Sequence, residues 1–243
     1  MTMTVKDSQA SEKPWELIGK SLWSSKNSIA SVELSVSGCH NLMELPSFFP
    51  SLTTLEIDGC QDLEVLPKLP SIINLELNKC ESKVLQSIFG SASLTYMRIC
   101  KISNLECLVE GYLKHFTSLE ELQISHLGEL TTLSNEIGLQ SLLSLKLLEI
   151  SGCPFLKELP QNLYKLSSLK VLRIWNCPSL VSFPVTGLPI SSDSCPFHGQ
   201  LTWLVHLELD NCLETLEIWE CNSLKTLPEK QPSTMLLSLW DAF

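Results

Sequence analysis

One motif, Leu-x-x-Leu-x-Ile-x-x-Cys-x-x-Leu-x-x-Leu-Pro, returns along this chain and leaves little freedom in how it folds. It is plainest in Leu52, Leu55, Ile57, Cys60, Leu63, Leu66 and Pro67. The same frame fits Leu145, Leu148, Ile150, Cys153, Leu156, Leu159 and Pro160, and then Leu169, Leu172, Ile174, Cys177, Leu180, Phe183 and Pro184. It returns at Leu213, Leu216, Ile218, Cys221, Leu224, Leu227 and Pro228. Weaker copies start at Ile72, Leu94 and Leu119, and a degenerate first copy holds Leu34, Val36, Cys39, Leu42, Leu45 and Pro46 in frame, with Ser31 where the first Leu belongs. The starts at 52, 72, 94, 119, 145 and 169 lie 20, 22, 25, 26 and 24 residues apart.

Within each copy Leu-x-Ile alternates with period two, which predicts a short strand with its apolar residues on one side and its polar residues on the other. The later Leu-x-x-Leu-Pro turns the chain back, and Pro is tolerated there because no ladder donor is required of it. A lone copy offers about six apolar side chains worth roughly 1.5–3 kcal/mol each. Ordering its twenty-odd residues costs about 1–2 kcal/mol per residue. Neighbouring copies must therefore share their apolar edges, and the predicted fold is an α/β repeat solenoid: a leucine-rich-repeat horseshoe with a parallel concave sheet and an irregular or short-helical convex side. The array is expected over 28–229, in about nine repeats, between an irregular segment at 1–27 and a tail at 230–243.

One stretch breaks the period. Residues 185–200 are rich in turn formers and lack the motif. A copy beginning at Leu204, with Leu207, Leu209 and Cys212, is cut short by the next one at Leu213. A coil does not close in so few residues, so 185–212 is read as irregular.

The formal net charge of −10 and pI of about 5.0 oppose binding to phosphate backbones, so nucleic acid is not an expected partner. With 44% hydrophobic residues the chain has ample apolar material for a core, yet no run approaches the length of a membrane span. Residues 1–10 lack a signal-peptide core, and no Asn starts a glycosylation acceptor, which makes the cytoplasm the expected location. Of the ten cysteines, Cys39, Cys60, Cys80, Cys153, Cys177, Cys212 and Cys221 share one motif position. That placement predicts buried thiols donating weakly to the backbone of a neighbouring coil. No Cys-x-x-Cys pair, His-Glu-x-x-His helix, Gly-x-Ser-x-Gly elbow or phosphate-binding Gly-Lys loop occurs, so no metal, catalytic or cofactor site is expected.

What remains is the polar side of the strands. Between the second Leu and the Ile stand Ser35, Glu56, Glu76, Arg98, Gln123, Glu149, Arg173, Glu208 and Glu217, a mostly acidic column. After the Ile come Ser37, Asp58, Asn78, Cys100, Ser125, Ser151, Trp175, Asp210 and Trp219. A charged column is commonly just the solvated side of a sheet. Two tryptophans on that side expose large apolar area, and Trp and Arg are enriched at interface hot spots. The expected protein-binding residues are thus Trp175, Trp219, Arg173, Arg98, Glu56, Glu76, Glu149 and Glu217.

The phrases Leu148-Glu-Ile-Ser-Gly-Cys-Pro-Phe-Leu-Lys-Glu-Leu-Pro160, Leu172-Arg-Ile-Trp-Asn-Cys-Pro-Ser-Leu-Val-Ser-Phe-Pro184 and Leu216-Glu-Ile-Trp-Glu-Cys-Asn-Ser-Leu-Lys-Thr-Leu-Pro228 resemble plant intracellular nucleotide-binding leucine-rich-repeat disease-resistance proteins of the coiled-coil class. The resemblance covers about 28–229. It implies a repeat domain that recognises pathogen effectors or a guarded host protein and helps hold the receptor inactive, with ADP or ATP bound only in a nucleotide-binding domain that this sequence does not contain. On that reading the chain is a carboxy-terminal fragment. The competing expectations are the substrate-recognition module of a ubiquitin ligase and a truncated receptor copy without function.

Overall fold

In the computed structural model the described residues are 2–6, 32–47, 49–88, 91–108, 113, 115–133, 142–159, 163, 166–181, 215–221 and 236–240. Every described Leu-x-Ile core of the motif lies in a strand, and a further strand lies in each flank: β1 (Thr2–Lys6), β2 (Val32–Ser37), β3 (Leu52–Asp58), β4 (Asn74–Asn78), β5 (Tyr96–Cys100), β6 (Glu121–Ser125), β7 (Leu147–Ser151), β8 (Val171–Trp175), β9 (Thr215–Trp219) and β10 (Leu236–Trp240). Among the described residues they form one sheet of ten strands in chain order, every neighbouring pair parallel. The register pairs Leu55 with Leu75, Leu75 with Met97, Met97 with Leu122, Leu122 with Leu148 and Leu148 with Leu172. These steps are the sequence spacings of the motif, so one coil of chain separates each strand from the next.

The alternation sorts the side chains as period two requires. Leu55, Ile57, Leu75, Leu122, Leu148, Ile150, Leu172 and Ile174 are wholly or almost wholly buried, and the later Leu63, Leu130, Leu156 and Leu180 close the same core from the returning half of each coil. In five of the coils a further apolar residue three places before the first position of the motif completes it, and Ser91 takes that place before Leu94. Phe49, Leu69, Phe116, Leu142 and Leu166 are buried, and each of their carbonyls accepts the N–H of that Leu or Ile in a tight turn. The convex side carries short bridges, such as Glu44 to Val65 and Thr132 to Glu158, and the four-residue helix α1 (Lys83–Gln86). The architecture is the leucine-rich-repeat solenoid.

The sheet also reaches into both flanks, 1–27 and 230–243, which the motif alone left outside the array. Strand pairing uses backbone groups and needs only an extended, alternating segment, not the whole motif. Met3 and Val5 of β1 align with Leu34 and Val36 and pack partly buried against the core. Leu237 and Leu239 of β10 align with Leu216 and Ile218. The interrupted stretch 185–212 and the short copy at Leu204 lie outside the described residues, and β8 pairs directly with β9 across them.

A left-handed residue ends each strand from β2 to β9, immediately before the Cys position. Gly38, Gly59 and Gly152 take positive φ there, and so do Lys79, Lys101, His126, Asn176 and Glu220. The turn keeps the N–H aimed at the next coil: Gly59 N donates to Asn78 O at 2.9 Å, Lys101 N to Ser125 O at 3.1 Å and His126 N to Ser151 O at 2.8 Å. A side chain in this region costs roughly 1–2 kcal/mol. Lys101→Gly should therefore raise stability by up to about 1 kcal/mol, the gain being reduced by the greater freedom of Gly in the unfolded chain. Gly152→Ala should lower it by more than Gly59→Ala. A Cβ at 152 would sit 3.1 Å from the His126 ring, whereas one at 59 meets nothing closer than 3.7 Å. Urea midpoints of the three variants check the order, and a stabilised Gly152→Ala would contradict it.

Candidate functional site

The polar side of the sheet is the concave face of this solenoid, and its columns follow from the strand register. One column runs Ser35, Glu56, Glu76, Arg98, Gln123, Glu149, Arg173, Glu217. Opposite charges stand across from one another where they occur, as sheet pairing favours. Arg98 Nη1 lies 3.8 Å from Glu76 Oε2. Arg173 bridges two strands, with Nε donating to Glu217 Oε2 at 2.8 Å and Nη1 lying 3.9 Å from Glu149 Oε2. The side chains of Glu217 and Glu149 are only 16% and 21% exposed. This triad is accordingly less screened than an ordinary surface pair.

Glu56 is exposed, and nothing among the described residues pairs with it. To one side Tyr96 donates to Gln123 Oε1 at 3.5 Å, and Gln123 Nε2 donates to Glu121 Oε1 at 2.8 Å. Burial pushes the Tyr96 phenol up from its ordinary value. Counting the outward positions of β1 to β9, the acids are Glu33, Glu56, Asp58, Glu76, Glu121, Glu149 and Glu217, against Lys6, Arg98 and Arg173. The face is electronegative even after its arginines are paired.

The column after the Ile behaves less simply than alternation predicts. Asn78 Nδ2 donates to Asp58 Oδ1 at 2.9 Å near one end. In the middle Cys100, Ser125 and Ser151 point outward yet are only 8%, 7% and 1% exposed. Alternation decides which face a side chain takes; it does not decide depth, and these short side chains do not reach past their larger neighbours. The column then steps up to Trp175, which is half-buried, and the register places Trp219 beside Trp175 and Trp240 beside Trp219. Trp240 was missed in the sequence because its copy, Leu237-Ser-Leu-Trp240, has no Cys after it. The shared Leu-x-aliphatic-Trp phrase was the available signal.

All eight residues singled out from sequence stand on outward strand positions of the one sheet. The structure separates them into two groups. Glu56, Glu76 and Arg98 lie on β3 to β5, while Glu149, Arg173, Trp175, Glu217 and Trp219 lie on β7 to β9.

The thiols are placed for packing. Cys60, Cys80, Cys153 and Cys177 are buried at the strand exits. Most donate within their own coil, Cys80 Sγ to Asn78 O at 3.4 Å and Cys153 Sγ to Ser151 O at 3.4 Å. Cys60 also approaches Val36 O of the preceding coil at 4.0 Å. Contacts to neighbouring coils, expected from sequence, are present as well: Cys80 reaches the backbone at Cys60, and Cys177 interacts thiol to thiol with both Cys153 and Cys221. His40, His115 and His126 are exposed, and His198 and His206 lie outside the described residues. Among the described residues no group of three or more His, Cys, Asp or Glu is arranged to hold a metal ion, and no helix is long and apolar enough to cross a membrane.

Burial pushes the Cys60 thiol from 9.0 up to about 11 and the Cys80 thiol up to about 12. Since the thiolate is the reactive form, a maleimide at neutral pH should label partly exposed Cys107 well before Cys60 or Cys80 in the native protein. Folding holds these two protons more tightly than the unfolded chain does, so stability should fall as pH rises from 9.0 toward about 11. Peptide mapping after timed labelling checks the order. Equal rates at the three positions would contradict it.

A model of the leucine-rich repeats of plant disease resistance protein RPS2-like sequences matches residues 5–154. The match takes in the last two residues of β1 and ends before the copies at Leu169 and Leu213. No curated protein matches the chain. Ten solved chains match. One is the leucine-rich repeat domain of the type III effector XopL, at 20% identity and a TM-score of 0.55, over 76% of this chain and 63% of that one. The present chain thus spans under two thirds of that domain, and at such identity the likeness concerns the fold alone.

Proposed function

The chain belongs to the RPS2-like leucine-rich-repeat family of plant disease-resistance proteins, and from that premise we propose that its concave face is the recognition surface of an innate immune receptor. The coarser role, a protein-interaction repeat domain, is that of the family and of the fold. The finer reading is that the face takes a pathogen effector or a guarded host protein, and that in a longer receptor it also contacts the nucleotide-binding domain and favours the inactive state.

One observation carries this reading. Outward positions on successive strands form continuous columns in which carboxylates outnumber cations, and the register positions after the Ile on β8 to β10 hold tryptophan. A surface of that extent suits a polypeptide partner better than a small molecule, which prefers an enclosed pocket. ADP or ATP has no place in this reading of the chain itself, and the receptor would act in the cytoplasm. The ubiquitin-ligase reading finds no observation in its favour beyond the shared fold.

Proximity labelling in plant tissue, with and without pathogen challenge, tests the proposal. The double variant Glu56→Lys, Glu149→Lys should lose a defined set of labelled proteins that Glu44→Lys, Glu158→Lys retains, because Glu44 and Glu158 are exposed on the opposite surface. Loss with the second pair and not the first would overturn the concave assignment.

A further inference from the structure

Six residues in register make one patch of the concave face: Gln123, Glu149 and Arg173 in one column, Ser125, Ser151 and Trp175 in the next. The two serines lie beneath it, both nearly inaccessible, and half-buried Trp175 stands in register beside Ser151. Glu149 shares Arg173 with Glu217, so two carboxylates face one guanidinium and the triad keeps a net negative charge. The Ser125 hydroxyl, 7% exposed, has no hydrogen-bond partner among the described residues. A buried polar group left in that state is costly, and a donor arriving from outside would remove the cost.

Building on the reading of the concave face as a protein-binding surface, we infer that this patch takes an arginine side chain from a basic, extended segment of the partner. The chemistry selects arginine on three counts. A planar guanidinium stacks on an indole face. It donates in a fork that a carboxylate such as Glu149 accepts. It has further N–H groups for the unpartnered Ser125 hydroxyl. Charge complementarity extends the contact, because the rest of the face carries more carboxylates than cations, and its arginines are already engaged by Glu76, Glu149 and Glu217. The register of Trp219 and Trp240 with Trp175 places two further tryptophans on the next two strands of the same column.

The probe is a short fluorescein-labelled peptide alternating Arg and Ser, titrated by anisotropy with the full chain, with Lys-Ser and Glu-Ser peptides alongside. The Arg peptide should bind more tightly than the Lys peptide, and the Glu peptide not at all. Trp175→Ala should weaken Arg-peptide binding about three- to tenfold, and Glu149→Gln comparably, as expected for loss of one stacked or charge-assisted contact. Trp175→Phe should keep most of the affinity, and it preserves the test if the Ala variant fails to fold. Glu44→Gln, Glu158→Gln removes two charges elsewhere and should change little. An equal loss with that control pair, or equal affinity for the Arg and Lys peptides, would reduce the effect to bulk charge and overturn the inference. Should the Arg peptide fail to bind while the Glu56→Lys, Glu149→Lys protein still loses its partners in tissue, the inference falls and the concave-face reading stands. If both fail, both fall.

Discussion

Edge sharing between neighbouring coils is the interaction on which the rest of this molecule depends. No single copy of the motif has enough apolar surface to offset the ordering of its own backbone. Its leucines become core only when the coils before and after cover them, as the near-zero exposure of Leu55, Leu75, Leu122, Leu148 and Leu172 shows. The parallel ladder has the same dependence, since each strand's outward N–H and C=O groups are satisfied by the next coil and not by its own. The left-handed residue before each Cys serves that stacking. It turns the chain out of the strand while keeping one more N–H directed at the following coil, and the chain accepts Lys, His and Glu in a glycine-like conformation to maintain it.

A surface built in this way has unusual regularity. Because stacking fixes the register, every outward position of the motif becomes a column, and the chemistry of the column is set one coil at a time without disturbing the core. That separation lets an acidic column, a polar column with buried serines and a tryptophan step coexist on one sheet. It also explains why the arginines of the face stand among glutamates. Arg98 lies beside Glu76, and Arg173 between Glu149 and Glu217, where each relieves like-charge repulsion along its own column.

The architecture was legible in the sequence because it rests on period two and on the repeat length, and both survive substitution at individual positions. The outward placement of Glu56, Glu149, Arg173 and Trp175 was legible for the same reason. Other features were not. The strands at Thr2–Lys6 and Leu236–Trp240 lack the Cys and the second Leu pair, so a motif search passes over them although backbone pairing does not need those residues. Gly38, Gly59 and Gly152 hinted at the left-handed turn, but Lys79 and Glu220 conceal it. The pairing of Arg173 with Glu217 spans 44 residues and crosses the irregular stretch 185–212, so only the register reveals it. The burial of Ser125 and Ser151 depends on the sizes of neighbouring side chains, which alternation does not encode.

The molecule stands on stacking between coils, and hydrogen exchange in Leu148→Ala tests that dependence most directly. Leu148 is fully buried in β7, and its truncation should cost about 2–5 kcal/mol. If coils share their cores and ladders, exchange should quicken in β6 and β8 as well as β7, with the effect fading along the array in both directions. Faster exchange confined to β7, with β6 and β8 unchanged, would mean that each coil holds itself together, and it would contradict the dependence on which the binding face is built.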